Sequence, residues 1–342
     1  MDISQNVLLS THTTLRVGGP AHLLFELVVK EQLPELSEWL CREALPFVVV
    51  GGGSNILFAE KGFAGLVIKN KLRGVDFVEQ PDGSIFLTAA AGESLDKVVV
   101  ETVEKGCWGL ENLSAIPGTV GATPVQNVGA YGVEVADLIE KVEALHLPTG
   151  EQKSFSRADC HFGYRDSFFK TTAGQSYLIT SVTFRLSKTP QPKLGYADLQ
   201  KTFADQTAPS LSEIRRAVIN IRTQKFPDLT QVGTAGSFFK NPVLAKAEAE
   251  TLLKNFPDLP HYPTADGLIK ISLGFVLDKI CGLKGFRQGK IELFSKQALV
   301  LVNYGHDNTA EVKNFVRLVQ EQVFAKTKLV IEPEVRFLGD DE

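Results

Sequence analysis

Pro117-Gly118-Thr119-Val120-Gly121-Ala122-Thr123-Pro124-Val125-Gln126-Asn127-Val128-Gly129-Ala130-Tyr131-Gly132 sets four glycines, two prolines and an uncharged Gln-Asn pair in one segment. Gly and Pro at this density fix an irregular backbone, and irregular loops of this length occur mainly where a ligand needs them. The amides of Gln126 and Asn127 suit the hydrogen-bonding edge of a heteroaromatic ring or a pyrophosphate. A second glycine run, Gly51-Gly52-Gly53-Ser54-Asn55, follows directly on the apolar strand Pro46–Val50. Its backbone N–H groups can approach a phosphate because no Cβ stands in the way, although in isolation a tight turn is the better explanation of such a run. It is neither a Rossmann fingerprint nor a Walker loop. Two such loops in one chain point to a large nucleotide cofactor.

Outward from these loops, helix and strand signals mix. Leu33, Leu36, Trp39 and Leu40 share a helical face, and Leu66-Val67-Ile68 reads as a strand. The Pro81-Asp82-Gly83 turn introduces the strand Ile85-Phe86-Leu87, with a helix from Leu95 to Val100. Strands are expected over 142–147 and 177–186. Apolar periodicity lapses over 187–212. Beyond it Ser210 and Glu213 form a capping box for a helix along Leu211, Ile214, Val218 and Ile221, ended by Pro227. Helices are expected over 243–256 and 308–325, and a closing strand over 329–337. The fold class is therefore α+β or α/β.

The 342 residues, at roughly 150 per domain, suggest two domains or more. Net charge is −4, which argues against a nucleic-acid partner, and no apolar run reaches the ~18 residues of a spanning helix. The polar N-terminus lacks a signal-peptide pattern, so a cytoplasmic protein is expected. Cys41, Cys107, Cys160 and Cys281 form no C-x-x-C pair, and the six histidines (His12, His22, His146, His161, His261, His306) are scattered. No metal site and no redox dithiol is indicated, and buried thiols are the expected fate of the cysteines.

Gly51–Asn55, Ile116–Gly132, Gly163-Tyr164-Arg165-Asp166-Ser167, Gly236-Ser237-Phe238-Phe239-Lys240-Asn241-Pro242 and Glu332-Pro333-Glu334-Val335-Arg336-Phe337 occur in that order. Together they resemble the UDP-N-acetylenolpyruvoylglucosamine reductases, flavoenzymes of bacterial peptidoglycan synthesis, from about Thr13 to Phe337. The resemblance implies an α+β chain with a two-subdomain FAD-binding fold of the vanillyl-alcohol-oxidase type and a separate α+β substrate-binding domain. It implies FAD subdomains over 1–70 and 71–226, a lid loop near 190–200, a substrate domain over 227–327, and a strand in 328–342 that returns to the FAD-binding region. It further implies that NADPH reduces non-covalent FAD and leaves. The enolpyruvyl ether of UDP-N-acetylglucosamine then takes the same pocket and is reduced to UDP-N-acetylmuramate. A monomer without nucleic-acid or membrane partners is expected.

Hydride addition to the enolpyruvyl group leaves negative charge delocalised into the substrate carboxylate, and catalysis needs groups that bind this charge as it develops. Arg165, with a planar and permanent cation, suits a carboxylate. By resemblance Ser237 is the proton donor, and Lys225 and Lys240 are sequence candidates for polarising it. Glu334 serves only if protonated or as part of a proton network. For FAD the resemblance implies Gly51, Gly52, Gly53, Ser54, Asn55, Ile116, Gly121, Gln126, Asn127, Arg222 and Arg336. For substrate it implies Tyr164, Lys225, Asn241, Tyr262, Lys284 and Gln297, with Tyr196 on the lid loop of the family's first subtype. Lys284, Arg287, Lys290 and Lys296 make a local basic cluster suited to a diphosphate, with Arg287 and Lys290 better read as a solvated face. The rival readings are a flavin oxidase of the same superfamily and a nucleotide-sugar-binding protein without catalysis.

Overall fold

In the computed structural model, residues 1–206, 208–264, 266–305 and 308–339 are described; His306 lies outside them. The chain divides into two compact units. The first comprises Met1–Val7, Ala21–Gly53 and Ala64–Arg222, and the second Leu8–Pro20, Ser54–Phe63 and Thr223–Glu342.

The first unit holds two larger sheets and a two-stranded hairpin, Gly129–Ala130 with Val133–Glu134. One has four strands in the order Ile3–Leu8, Pro20–Leu27, Phe63–Asn70, Phe47–Val50. The last two run parallel, with Val48 opposite Val67. The β-branched run at 47–50 is buried at Val48 and Val50, and it ends where Gly51 begins. Helix Leu33–Glu43 buries Leu33, Leu36 and Leu40 against Phe25, Leu66 and Ile68 on this sheet and against Leu145, Leu147 and Leu178 on the next. Truncating the fully buried Leu36 to Ala costs about 2–5 kcal/mol. Ser37 ties the same helix down by donating to the Leu147 carbonyl at 2.6 Å.

The second sheet is antiparallel, in the order Glu151–Ser156, Ile139–His146, Tyr177–Ser187, Ser84–Ala90, Val75–Glu79. Helix Leu95–Glu104 packs on it through Leu95, Val98 and Val99. Helix Leu211–Lys225 begins as its sequence dictates. The Ser210 N–H donates to Glu213 Oε2 at 2.8 Å, and the Glu213 N–H donates to Ser210 Oγ at 3.3 Å. Its buried stripe of Leu211, Ile214 and Val218 packs with Trp108, Tyr131 and Leu199.

The second unit is built on a sheet ordered Gly233–Ser237, Val300–Asn303, Ile291–Leu293, Arg287–Gln288. A small sheet joins Val243–Leu244, Ile269–Ile271 and His261–Pro263. Helix Thr309–Thr327 buries Val312, Phe315, Val316, Val319 and Val323 in the shared core with Leu15, Leu57 and Phe238.

Two elements differ from the sequence expectation. Val243 and Leu244 are paired with Lys270 and Ile269, so that helix starts only at Lys246, with Glu248 Oε2 accepting from the Ala245 N–H. The closing strand shrinks to Arg336–Leu338, parallel to Ile56–Phe58. Upstream of it Pro333 has no N–H to give, and the backbone bonds go elsewhere. The Ile331 carbonyl accepts from Gln320 Nε2, and the Glu332 carbonyl accepts from the Lys240 N–H. Among the described residues no helix is long and apolar enough to cross a membrane.

Candidate active site

In the first unit the two glycine loops meet. A Cβ on Gly51 would stand 2.2 Å from Thr119 Oγ1, and one on Gly52 would stand 3.0 Å from the Gly118 Cα. Both glycines are closely approached, Gly51 by a side-chain hydroxyl and Gly52 by backbone, and Gly53 adds a left-handed turn at φ +70°. Thr119 Oγ1 is buried and has no hydrogen-bond partner within the protein. A buried hydroxyl with no acceptor or donor opposite it costs free energy unless a ligand satisfies it. Gly121 has a different reason to be glycine. A Cβ there would meet Ala91 Cβ at 2.5 Å, and its N–H already donates to the Ala91 carbonyl at 2.9 Å.

The long loop carries left-handed backbone at Ala115, Asn127 and Tyr131. Such conformations cost non-glycine residues free energy and persist only where the surroundings over-determine them. Here they are held in place. The Asn127 side chain donates to Glu134 Oε2 at 2.7 Å and to the Gly163 carbonyl at 3.0 Å, and accepts from the Ala136 N–H at 3.1 Å. That amide shapes the loop. Ala115 donates its N–H to Asp96 Oδ1 at 2.6 Å, and its carbonyl accepts from Arg222 Nε at 3.1 Å. Asp96 also takes a two-point grip from Arg215, at 2.6 and 3.1 Å. Burial pushes the Asp96 carboxyl up, but Arg215 and the Ala115 N–H outweigh it and hold the group below its ordinary value. Burial lowers the Arg222 guanidinium from its usual range, against the pull of Tyr131 and Asp96. A half-buried cation of this kind favours an anion beside it.

Arg165 sits on the tight turn Gly163–Asp166, itself left-handed at φ +54°. Ser167 anchors the turn by donating to the Val125 carbonyl at 2.6 Å. The guanidinium lies over the Tyr164 ring at 5.6 Å and donates to the Gly129 carbonyl at 2.8 Å. Thus Tyr164, Arg165, Asn127 and Gly129 are gathered in one place. Tyr196, 39% exposed, meets the Tyr131 ring edge-on at 5.1 Å. Ile116 packs partly buried on the same core, and Gln126 is half-buried.

In the second unit, Ser237 and Glu334 lie on segments that abut. The Glu334 N–H donates to the Phe238 carbonyl at 2.7 Å, and Phe239 bridges Pro333. Asn55 joins them, with its amide on the Glu334 carbonyl at 3.2 Å and its own carbonyl accepting from the Arg336 N–H at 3.0 Å. Burial lowers the Arg336 guanidinium. Lys240, a candidate for polarising Ser237, instead reaches Glu332 Oε2 at 3.5 Å. Asn241 Oδ1 accepts from the Leu273 N–H at 3.0 Å, and the Gln297 side chain lies beside Gly274. Tyr262 is opposite Lys270 in the small sheet. Lys284 is engaged by Asp278 at 2.7 Å. Arg287 lies over the Tyr304 ring at 4.9 Å and, like Lys290, is exposed.

Sequence reasoning missed Thr119 and Gly118 as partners of the glycine run; the signal was their place inside the long loop, which a threonine alone does not flag. Buried thiols are found at Cys107, Cys160 and Cys281, while Cys41 is exposed. Burial, aided by Asp159, pushes the Cys160 thiol up to about 12. A cavity of about 820 Å³ lined by Ser37, Cys41, Arg42, Glu143, Thr149 and Thr180 shares no residue with the glycine loops. Among the described residues no three His, Cys, Asp or Glu side chains group as metal ligands.

A glycine cradle, an orphaned hydroxyl on the long loop and the half-buried Arg222 guanidinium bonded to the Ala115 carbonyl fit a flavin dinucleotide with its pyrophosphate. Comparison with known proteins agrees. A family model described as the UDP-N-acetylenolpyruvoylglucosamine reductase C-terminal domain matches residues 227–338, and one described as an FAD binding domain matches residues 22–156. The chain is 44% identical over 292 residues to the UDP-N-acetylenolpyruvoylglucosamine reductase of Chromobacterium violaceum, covering 84% of this chain and 85% of that one. It is 40% identical over 310 residues to the enzyme of that name from Escherichia coli K12, covering 91% and 89%. The crystal structure of UDP-N-acetylenolpyruvylglucosamine reductase from Thermus caldophilus superposes with a TM-score of 0.71 at 27% identity, over 99% of both chains.

Proposed function

The chain belongs to the UDP-N-acetylenolpyruvoylglucosamine reductase family, and from that membership we propose how its own residues carry the reaction. It is an FAD-dependent oxidoreductase of peptidoglycan synthesis, with NADPH as co-substrate. When bound, FAD supplies the hydride chemistry that no side chain here can perform, from NADPH to the terminal vinyl carbon of the enolpyruvyl ether.

Gly51, Gly52 and Gly53 offer backbone to the pyrophosphate, with Ser54, Asn55, Ile116, Gly121, Gln126, Asn127, Arg222 and Arg336 completing the cofactor's surroundings. Arg165 pairs with the substrate carboxylate and binds the charge that grows there. Ser237 gives its proton to the carbon next to the vinyl terminus, so that the enol ether becomes a lactyl ether. Glu334, on the segment bonded to Phe238, orders proton delivery beside it. Lys225, Asn241, Tyr262, Lys284 and Gln297 hold the uridine diphosphate, with Tyr164 beside Arg165. Tyr196 closes over bound substrate.

The functional division runs 1–70 and 71–226 for cofactor, 227–327 for substrate and 328–342 for the returning strand. We assign the enzyme to the cytoplasm, as a monomer, with NADPH and substrate taking turns in one pocket. The observation that carries the reading is the seam between Ser237–Lys240 and Glu332–Glu334, which sets the Ser237 hydroxyl and the Glu334 carboxyl on abutting backbones. The test is spectroscopic. The purified protein should be yellow, bleach anaerobically with NADPH, and regain its colour on adding the enolpyruvyl substrate. A protein that bleaches but is not reoxidised by that substrate would contradict the assignment.

A further inference from the structure

Asn112 is fully buried, at 0% exposure, and lies in the first unit outside every role assigned above. Its Nδ2 donates twice, to the Tyr131 carbonyl at 2.7 Å and to the Lys193 carbonyl at 2.8 Å. Its Oδ1 has no hydrogen-bond partner within the protein. The neighbouring Glu111 is also buried, with Oε2 accepting from the Gly109 N–H at 2.7 Å.

The two carbonyls belong to different working parts. Tyr131, left-handed at φ +51°, and Gly132 at φ +83° make the two-residue turn of the hairpin that joins Gly129–Ala130 to Val133–Glu134. The same hairpin carries the Gly129 carbonyl that accepts from Arg165. Lys193 lies three residues before Tyr196. On its far side the loop is pinned again at Leu199, fully buried in the helix Ala197–Thr202 that follows Tyr196. Leu194 packs partly buried against the Trp108, Tyr131 and Leu211 cluster. Between the two pins stands Gly195, where an added Cβ would meet nothing within 4 Å.

We infer that Asn112 is a positioning residue for substrate binding: its single amide clamps the base of the Tyr196 loop to the hairpin beside Arg165, so Tyr196 moves about a fixed hinge. The inference rests on the reading of Tyr196 as a lid. The chemistry requires an amide with both hydrogens available at this length. Aspartate would face two carbonyls with acceptors only, and alanine would leave both carbonyls short of a donor. Without the clamp, substrate must order the loop each time it binds, and affinity falls by that entropy.

The experiment is a double-mutant cycle in the FAD-loaded enzyme, read as Kd for the enolpyruvyl ether of UDP-N-acetylglucosamine from its perturbation of the flavin spectrum. Asn112→Ala should raise Kd about tenfold. FAD content and the rate of flavin reduction by NADPH should change less than about threefold. In a Tyr196→Ala background the same substitution should add less than about twofold, because the clamp acts through the loop. Leu194→Ala, which loosens the loop from its own side, should repeat the pattern, and it carries the test if Asn112→Ala does not fold. Unchanged affinity in Asn112→Ala, or a full penalty in both backgrounds, would overturn the clamp while leaving the lid standing. Unchanged affinity in Tyr196→Ala alone would instead overturn the lid reading, and the clamp with it.

Discussion

Around Gly51, Gly52 and Thr119 the backbones lie so close that one added carbon collides, whereas around Tyr262 and Lys284 the polar side chains stand at the surface. Tyr262 is 54% exposed and Lys284 is already engaged by Asp278. The first region is held by the protein's own bonds, with its strained turns fixed by Asn127 and Asp96. The second, in its proposed role of holding the diphosphate, would have to trade existing partners such as Asp278 for new ones. A resident cofactor rewards a prebuilt cradle, since rigidity lowers the ordering cost of binding. A substrate that enters and leaves each turnover is better served by exposed groups that exchange partners at little cost.

The sharpest break of this comparison is at the chemistry itself. Ser237→Ala should slow reoxidation of the reduced flavin by substrate by about 10²–10⁴-fold, the usual worth of a positioned proton donor. Flavin reduction by NADPH should stay near normal. Stopped-flow absorbance separates the two steps, and equal slowing of both would remove Ser237 from the role. Next in size is the cradle. Gly51→Ala drives a methyl to 2.2 Å from Thr119 Oγ1, while its next contact, Thr119 Cβ, lies at 3.4 Å. Overpacking of this kind should weaken FAD by about 10- to 100-fold. Thr119→Ala in the same chain should recover part of the loss in flavin content, which a general folding defect would not permit.

Asp96→Asn tests whether the cradle's stiffness comes from the half-buried pair with Arg215. The variant should lose about 1–3 kcal/mol of stability at neutral pH. The native carboxyl lies below its ordinary value, so its contribution is present above the unfolded value of about 3.9 and is lost as pH falls through the lower folded value. The gap in thermal midpoint between wild type and variant should therefore close as pH drops below about 4. A gap that persists unchanged would mean that shape, and not charge, holds Ala115.

The contrast also marks how far the sequence could be read. The glycine cradle was legible because close approach and left-handed turns leave a compositional trace, and the Ser210–Glu213 cap because its two bonds need those residue types. Thr119 was not legible, since an orphaned hydroxyl depends on what the chain places opposite it. The strand expected over 329–337 was overextended for a similar reason. Its β-branched residues carry strand propensity, yet the carbonyls of Ile331 and Glu332 are taken by Gln320, on the preceding helix, and by Lys240, far away in sequence. For the candidate site, order along the chain indicated which motifs belong together, while the partner of each charged side chain awaited the fold.

Lys240 is the case in point and sets the smallest effect. The sequence offers it and Lys225 equally as the cation that polarises Ser237, being three and twelve residues away. In the fold the Lys240 ammonium is drawn to Glu332 at 3.5 Å, and that carboxylate is 71% exposed. A cation already committed to a solvated carboxylate is screened and contributes little to a neighbouring hydroxyl. Lys240→Met should therefore alter stability by less than about 1 kcal/mol and leave reoxidation by substrate within about threefold of wild type. Lys225→Met should slow the same step well beyond that. If the two variants slow it equally, the ion pair with Glu332 must open during turnover, and the second region is more mobile than its resting partners indicate.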